Sequence, residues 1–407
     1  MSQKPGSILG GMFLTAGSCI GAGMLGLPIL SGMAGFFPAI LMTLLAWVFM
    51  TFTALLLVEV NGWFKGQVNI VTISEKAFGP KGKVVSWVLY LFLFYSLLIA
   101  YIAGSGSVFS AFLQKAFHID FSPSIIGFVF VLSLGFIVYL GTKLVDMTNR
   151  FLMIALIIAY AGMMFLGVQK IDANLLQYHN WSYLILPLPI LVTSFGFHNM
   201  IPSLTAYMNG DLKRMRITIM GGSLISLIIY TFWQVMILGI VPVFGENSIS
   251  NVFSLGGEIT KPLIHYLHSP WIIIFTQVFA FFAIITSFLA QSLSVMHFIA
   301  DGLKVKPIKK NNRWLILLAL IPPYLFALTY PGVFLKALSF AGGFCAVILF
   351  GILPALMAWV GRYSRKYSSQ YHVMGGKISL IIAILFSSFL VLNELGRILG
   401  INIFINY

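Results

Sequence analysis

Eleven stretches of this chain are apolar for so long that a lipid bilayer is the solvent in which they fold. They run near residues 6–30, 36–62, 84–113, 123–142, 150–168, 184–209, 216–243, 270–300, 314–329, 331–360 and 378–404. Crossing a hydrocarbon core about 30 Å thick takes roughly 20 apolar residues at a helical rise of about 1.5 Å each. The helix is also the form in which one segment satisfies all of its own backbone groups. A transmembrane barrel would show short alternating segments instead. With 59% hydrophobic and 8% charged residues and a mean hydropathy of +0.99, the 407 residues lack the polar surface of a water-soluble globule. Lys4 gives only a weak basic flank to the first segment, which runs on to Pro28 without a small-x-small cleavage site, so a retained first helix is expected. Cys19 and Cys345 sit in distant apolar segments, where no disulfide framework is expected.

The net charge of +14 is placed unevenly. With the N-terminus in the cytoplasm, alternate connections hold Lys4; Lys65, Lys76, Lys81 and Lys83; Lys143 and Arg150; Lys213, Arg214 and Arg216; Lys304, Lys306, Lys309, Lys310 and Arg313; and Arg362, Arg365, Lys366 and Lys377. That is 19 of 24 basic residues, with Lys115, Lys170, Lys261, Lys336 and Arg397 left for the outer half. This is the positive-inside pattern, and eleven crossings then put the C-terminus on the outer side. The basic charge orients the chain and asks for no nucleic acid. The longest polar connections, near 63–83, 245–269 and 301–313, are too short to bury a core of their own. Residues 247–266 have room for a short helix. Residues 1–407 therefore read as a single transmembrane domain.

One internal correspondence points to function. The first helix contains Gly17-Ser-Cys-Ile-Gly-Ala-Gly-Met24 followed by Pro28, and the sixth contains Thr193-Ser-Phe-Gly-Phe-His-Asn199 followed by Pro202. Each is interrupted by glycine and small polar residues, with a proline shortly after Gly21 or Gly196. Glycine also serves close helix packing and proline also kinks helices. Matched interruptions in two halves, 6–168 and 184–360 with 378–404 appended, are the signature of a midplane transporter site. Such a site suits a free amino acid, whose carboxylate and ammonium lie about 3 Å apart and are costly to bury without partners. The unpaired N–H groups opening the outer half-helix fit the carboxylate, which assigns Gly21, Ala22 and Gly23. Carbonyls at the ends of the preceding half-helices fit the ammonium, which assigns Ser18, Cys19, Thr193 and Phe195. Glycine there lets the substrate approach the backbone closely.

For the substrate side chain, Phe195 and Phe197 flank Gly196, and Tyr95 and Tyr101 lie on the third helix; aromatic pairs add about 0.5–1.5 kcal/mol beyond burial. His198, Asn199 and Gln291 offer hydrogen bonds to a polar group on that side chain, and a site with such groups rejects a side chain that leaves them unpaired. Ionisable groups inside the membrane are coupling candidates, here Glu59 and His198. Glu59 reads equally as a helix-end carboxylate paired to a basic loop residue. Asp146 and Arg150, four apart, read as a structural pair.

Several motifs lead nowhere. Gly21-Ala-Gly-Met-Leu-Gly26 matches a dinucleotide fingerprint but no strand precedes it. His265-x-x-His268 lacks further ligands for a metal. No ring of charges or filter repeat marks a channel, and no catalytic constellation marks an enzyme; no cofactor is expected. A non-transporting sensor stays open.

The chain resembles the aromatic amino acid permeases, the tyrosine- and tryptophan-specific bacterial transporters. The resembling segments are Ile20–Pro28, Ala54–Val60, Leu144-Val-Asp-Met-Thr-Asn-Arg-Phe151, Thr193–His198 with Pro202-Ser203, and Pro322-Pro-Tyr-Leu-Phe-Ala-Leu-Thr-Tyr-Pro331. The resemblance implies an all-α membrane protein with the LeuT-like five-plus-five inverted repeat, discontinuous helices 1 and 6 and an eleventh helix. It implies import of an aromatic amino acid, tyrosine first, by cation symport and alternating access in a bacterial inner membrane. A tryptophan-selective or sodium-coupled carrier of the same fold is the alternative. Ala283-Ile-Ile-Thr286-Ser287 resembles the sodium-binding pattern of LeuT-like symporters, and oxygen-only coordination suits a hard cation. The fifth helix, Phe151–Tyr160, lacks the lysine of some proton-coupled relatives. Proton coupling stays slightly ahead of sodium on the resemblance.

Overall fold

Apolar segments in lipid become helices, and the computed structural model follows that rule over residues 6–64, 70–117, 121–267, 269–305, 314–330, 332–367 and 371–401. Lys4, Lys65, His268, Lys306, Lys309, Lys310 and Arg313 lie outside the described residues. The helices are α1 (Ile8–Cys19), α2 (Gly23–Ala34), α3 (Phe36–Gly62), α4 (Ile70–Phe117), α5 (Pro123–Leu140), α6 (Thr142–Gly167), α7 (Leu188–Ser194) and α8 (Ile201–Tyr207). After them come α9 (Leu212–Leu238), α10 (Ile249–Leu255), α11 (Thr260–Tyr266), α12 (Pro270–Gly302) and α13 (Leu315–Thr329), then α14 (Phe334–Ser364) and α15 (Gly376–Ile398). Among the described residues eight are long and apolar enough to span a bilayer, and α1 with α2 makes a ninth crossing bent by 64°. The shorter α13 and the α7–α8 pair complete the eleven expected.

Two boundaries differ from expectation. The third helix starts at Ile70 rather than near 84, because the supposed loop holds an amphipathic arm that buries Ile70, Ile73 and Ser74. Gly79, at φ 75°, turns the chain there, and Pro80 opens the long segment at a place where no intrahelical N–H is needed. The sixth element of the series, α6, starts at Thr142 rather than near 150, directly after Gly141 at φ 118°. Asp146 and Arg150 therefore pair on a helix surface, at 2.9 Å and exposed. The loop at 247–266 folds into α10 and α11. Both cysteines are free and buried.

Helix-breaking residues leave backbone carbonyls that lipid cannot satisfy, and the fold supplies donors from neighbouring helices. Pro28 lies inside α2 and has no N–H to give Met24 O; Trp233 of α9 donates its indole N–H to that oxygen at 2.7 Å. Pro322 inside α13 likewise frees Leu318 O, and the Tyr95 hydroxyl donates to it at 2.6 Å. Tyr95 thus caps the carbonyl that Pro322 frees and lines no part of the cavity between the helix breaks. The middle of α14, Ala341–Ile352, is wound as π helix. Its Gly342 lies so close to α7 that a Cβ there would overlap Pro189 O and Thr193 Oγ1.

Trp233→Phe removes the donor to Met24 O and lowers stability by about 1–3 kcal/mol. In a Pro28→Ala background residue 28 provides its own N–H, so the loss shrinks; thermal unfolding of the four proteins measures that coupling. Equal losses in both backgrounds would contradict the assignment.

Candidate substrate site at the helix breaks

The two interrupted crossings meet in the middle of the bundle. α1 stops at Cys19, Ile20 is extended (φ −76°, ψ 112°), and α2 begins at Gly23. α7 stops at Ser194, Gly196 leaves the helical region (φ −81°, ψ 47°), and one tight turn over Phe197–Met200 leads into α8. Between the breaks lies a cavity of about 340 Å³, within the usual range of small-molecule sites.

Most of the expected residues line it. Ser18, Cys19, Gly21, Ala22 and Gly23 come from the first break, and Thr193, Gly196 and Asn199 from the second. Tyr101 comes from α4, and Thr286, Ser287 and Gln291 from α12. Gly21 is held against α12: Ala22 N donates to Ser287 Oγ at 3.0 Å, and a Cβ on Gly21 would collide with that oxygen. The Tyr101 phenol also reaches Ser287. Thr286 Oγ1 donates back to Phe282 O (2.8 Å) and Ala283 O (3.2 Å) in its own helix. Ala283 itself is buried away from the cavity.

Phe195, Phe197 and His198 do not line it. A tight turn carries about three residues per revolution, so Gly196 and Asn199 face the cavity and the residues between them face away. Phe195 packs edge-on against Tyr230 at 5.1 Å. His198 Nε2 meets Thr53 Oγ1 at 3.0 Å, and its ring lies flat on Phe350 at 4.7 Å, with Phe197 stacked behind. Phe350 of α14, with Leu93 and Leu97, supplies the apolar wall in their place. Nothing local in the sequence marks Phe350 among 37 phenylalanines.

The cavity also has polar atoms left without partners. Asn149 Oδ1, Ser194 Oγ and Gln291 Oε1 are buried, line the cavity and have no hydrogen-bond partner among the described residues. A buried polar atom without a partner is costly, so these atoms fit a polar ligand. Asn149 lies in a resembling segment, 144–151, which was the one signal for it. Carbonyls are more committed. The Tyr230 hydroxyl lies 2.6 Å from Cys19 O and 2.8 Å from Ser194 O, so one proton serves the ends of both interrupted helices. Thr193 O accepts from Gly196 N and Phe195 O from Phe197 N, each at 3.0 Å.

Access is one-sided. Ser18, Asn199, Ser203 and Ser294 are exposed at the α1–α8 end, whereas α2 is buried from Met24 through Ala34. At that far end α10 and α11 cover the bundle, and Ile259 N donates to Leu25 O of α2 at 3.3 Å. Glu258, between α10 and α11, is buried there. It accepts from Thr260 N (2.7 Å), Thr260 Oγ1 (2.6 Å) and Ser107 Oγ (3.3 Å), and burial pushes its carboxyl above the usual range.

Glu59 is remote from the cavity. Arg362 donates to both its oxygens, at 2.7 and 2.5 Å, and Val373 N donates at 2.7 Å. His372 Nδ1 adds a contact at 3.1 Å. The carboxylate thus ties α3 to α14 and to the connection before α15, which is the structural reading of that residue.

The chain matches the tryptophan/tyrosine permease family over residues 4–394. It belongs to that family. The tyrosine-specific transport system 1 of Haemophilus influenzae is 33% identical over 386 residues, 92% of this chain and 93% of the relative. The tryptophan-specific transport protein of the same organism is 29% identical, covering 98% of each. The crystal structure of MhsT in complex with L-phenylalanine superposes with a TM-score of 0.67 at 14% identity, over 96% of this chain and 100% of that one. That likeness fixes the LeuT-type fold, and the family makes the chain a multi-pass amino acid permease rather than an enzyme.

Two outcomes follow for this permease. Glu59→Gln strands the Arg362 guanidinium, 8% exposed, and costs about 3–5 kcal/mol of stability; uptake per folded molecule stays within twofold, measured on protein that survives size exclusion. For Glu258 the folded chain binds the proton more tightly than the unfolded one. Stability therefore falls as pH climbs from the ordinary carboxylate range to the raised value. Melting curves across pH should show that fall in the parent and not in Glu258→Gln.

Proposed function

We propose that this permease imports tyrosine, or a closely similar aromatic amino acid, across a bacterial inner membrane by proton symport and alternating access. The observation that carries the reading is the cavity walled by both helix breaks and furnished with unpartnered polar atoms. In this reading the two halves are 6–168 and 184–360, with the N-terminus inside and the C-terminus outside. The N–H groups of Gly21 and Gly23, joined by Ala22 N if it leaves Ser287 Oγ, hold the carboxylate, whose charge the start of α2 favours. Ser18 O, with the second lone pairs of Cys19 O and Thr193 O, holds the ammonium. The ring lies against Phe350, Leu93 and Leu97, and Asn149 or Gln291 meets the hydroxyl. A site built around that hydroxyl penalises phenylalanine, which leaves the amide unpaired. The cavity opens at the α1–α8 end, the inner side in this orientation, as an inward-facing carrier requires.

A tryptophan substrate is the second reading, favoured by the tryptophan-specific relatives that cover the whole chain; an indole N–H would meet the same amides. Sodium coupling rests on Thr286 and Ser287. Thr286 Oγ1 donates its proton back into α12 and Ser287 Oγ accepts one N–H, so each oxygen keeps a lone pair for a cation. His198 stays a proton candidate behind Phe350, while Glu59 is engaged by Arg362.

Uptake of labelled tyrosine, tryptophan and phenylalanine into proteoliposomes, under proton and sodium gradients imposed separately, tests the reading. Proton-driven tyrosine accumulation at least tenfold above phenylalanine is expected, with Gly21→Ala reducing it at least tenfold. Accumulation driven only by sodium, or no preference among the three, would overturn it.

A further inference from the structure

The resembling segment around Pro322 contributes nothing to the substrate cavity, yet it walls the largest hollow among those described. That groove, about 760 Å³, lies between α4, α13, α14 and α15. Phe92, Phe326 and Phe340 give it apolar sides, and Pro322 and Pro323 form its back. Phe92 and Phe326 are also exposed on the lipid-facing surface, so the groove opens sideways into the membrane.

A second hollow of about 370 Å³ adjoins it at the α10–α11 end and has a different character, lined by Ser254, Gly256 and Ser339 among others. The two share Gly332, Lys336 and Arg397. Two cations thus stand at the junction of an apolar membrane groove and a polar notch facing the aqueous end. Arg397 is already paired, its Nε donating to Glu394 Oε2 at 3.1 Å. Lys336 is exposed and forms no ion pair among the described residues. Both belong to the few basic residues that the charge asymmetry leaves at this end.

We propose that this pair of cavities is a binding site for an anionic phospholipid of the outer leaflet. Acyl chains lie along Phe92, Phe326 and Phe340. The phosphodiester meets the Lys336 ammonium, a compact point charge suited to phosphate, and the polar headgroup occupies the notch beside Ser254. A zwitterionic lipid brings its own cation to that place and gains less from Lys336. Gly332 packs against Leu255 and Gly256 at the end of α10, so a lipid seated here also braces the cover over α2.

The test uses the full-length protein, purified, stripped of lipid and melted in detergent with added phosphatidylglycerol, phosphatidylcholine or inorganic phosphate. Phosphatidylglycerol should raise the melting temperature by several degrees more than phosphatidylcholine, phosphate alone should do nothing, and native mass spectrometry should show one retained phosphatidylglycerol. Lys336→Gln should abolish the difference between the lipids and Lys336→Arg should keep it, each variant melting like the parent in phosphatidylcholine. Equal response to both lipids, an unchanged preference in Lys336→Gln, or stabilisation by free phosphate alone would overturn the proposal. Should Lys336→Gln not fold, absence of retained phosphatidylglycerol from the parent would do the same. None of these outcomes depends on which amino acid is carried.

Discussion

A peptide carbonyl inside a bilayer has no water to bond, and every irregularity in this permease is shaped by that fact. The chain needs interruptions to make a polar site, and each interruption strands oxygens. The remedy is to send a donor across from a neighbouring helix. Tyr230 serves the ends of α1 and α7 together, Trp233 serves the oxygen opposite Pro28, and Tyr95 the one opposite Pro322. Two of these three donors are three residues apart on one face of α9. That helix is the splint on which the broken crossings are set, although it lines none of the substrate cavity.

What could be read from the sequence divides along a physical line. Helix number and the two breaks were legible because hydrophobic length, glycine and proline act locally. The first break is local in the same way: Gly21 to Gly23 sit at a helix start whatever packs around it. The second break was read less well. Its residues follow a tight turn whose facing cannot be told from spacing in an ordinary helix, so spacing alone does not separate Gly196 and Asn199, which line the cavity, from Phe195, Phe197 and His198, which do not.

Long-range partners were the least legible. Glu59 admitted two readings until Arg362, some three hundred positions further on, appeared beside it. Glu258 drew no notice at all, since a carboxylate in an outer loop looks solvated until α10 and α11 fold over it. Among the described residues the three buried carboxylates differ in kind. Glu59 and Glu394 each face an arginine, whereas Glu258 rests on hydroxyls and one N–H. Composition counts all three alike.

The contact at Gly342 has a mechanical meaning. With no side chain between them, α7 and the π-wound stretch of α14 form a welded joint, and Thr193 Oγ1 within 3.2 Å of Leu338 O stitches it further. α2 is similarly pinned by Trp233 and by Ile259 N. Both half-helices on that side are door frame. The other two half-helices, α1 and α8, join that frame only through the short breaks at 20–22 and 195–200, and they stand at the exposed end of the cavity.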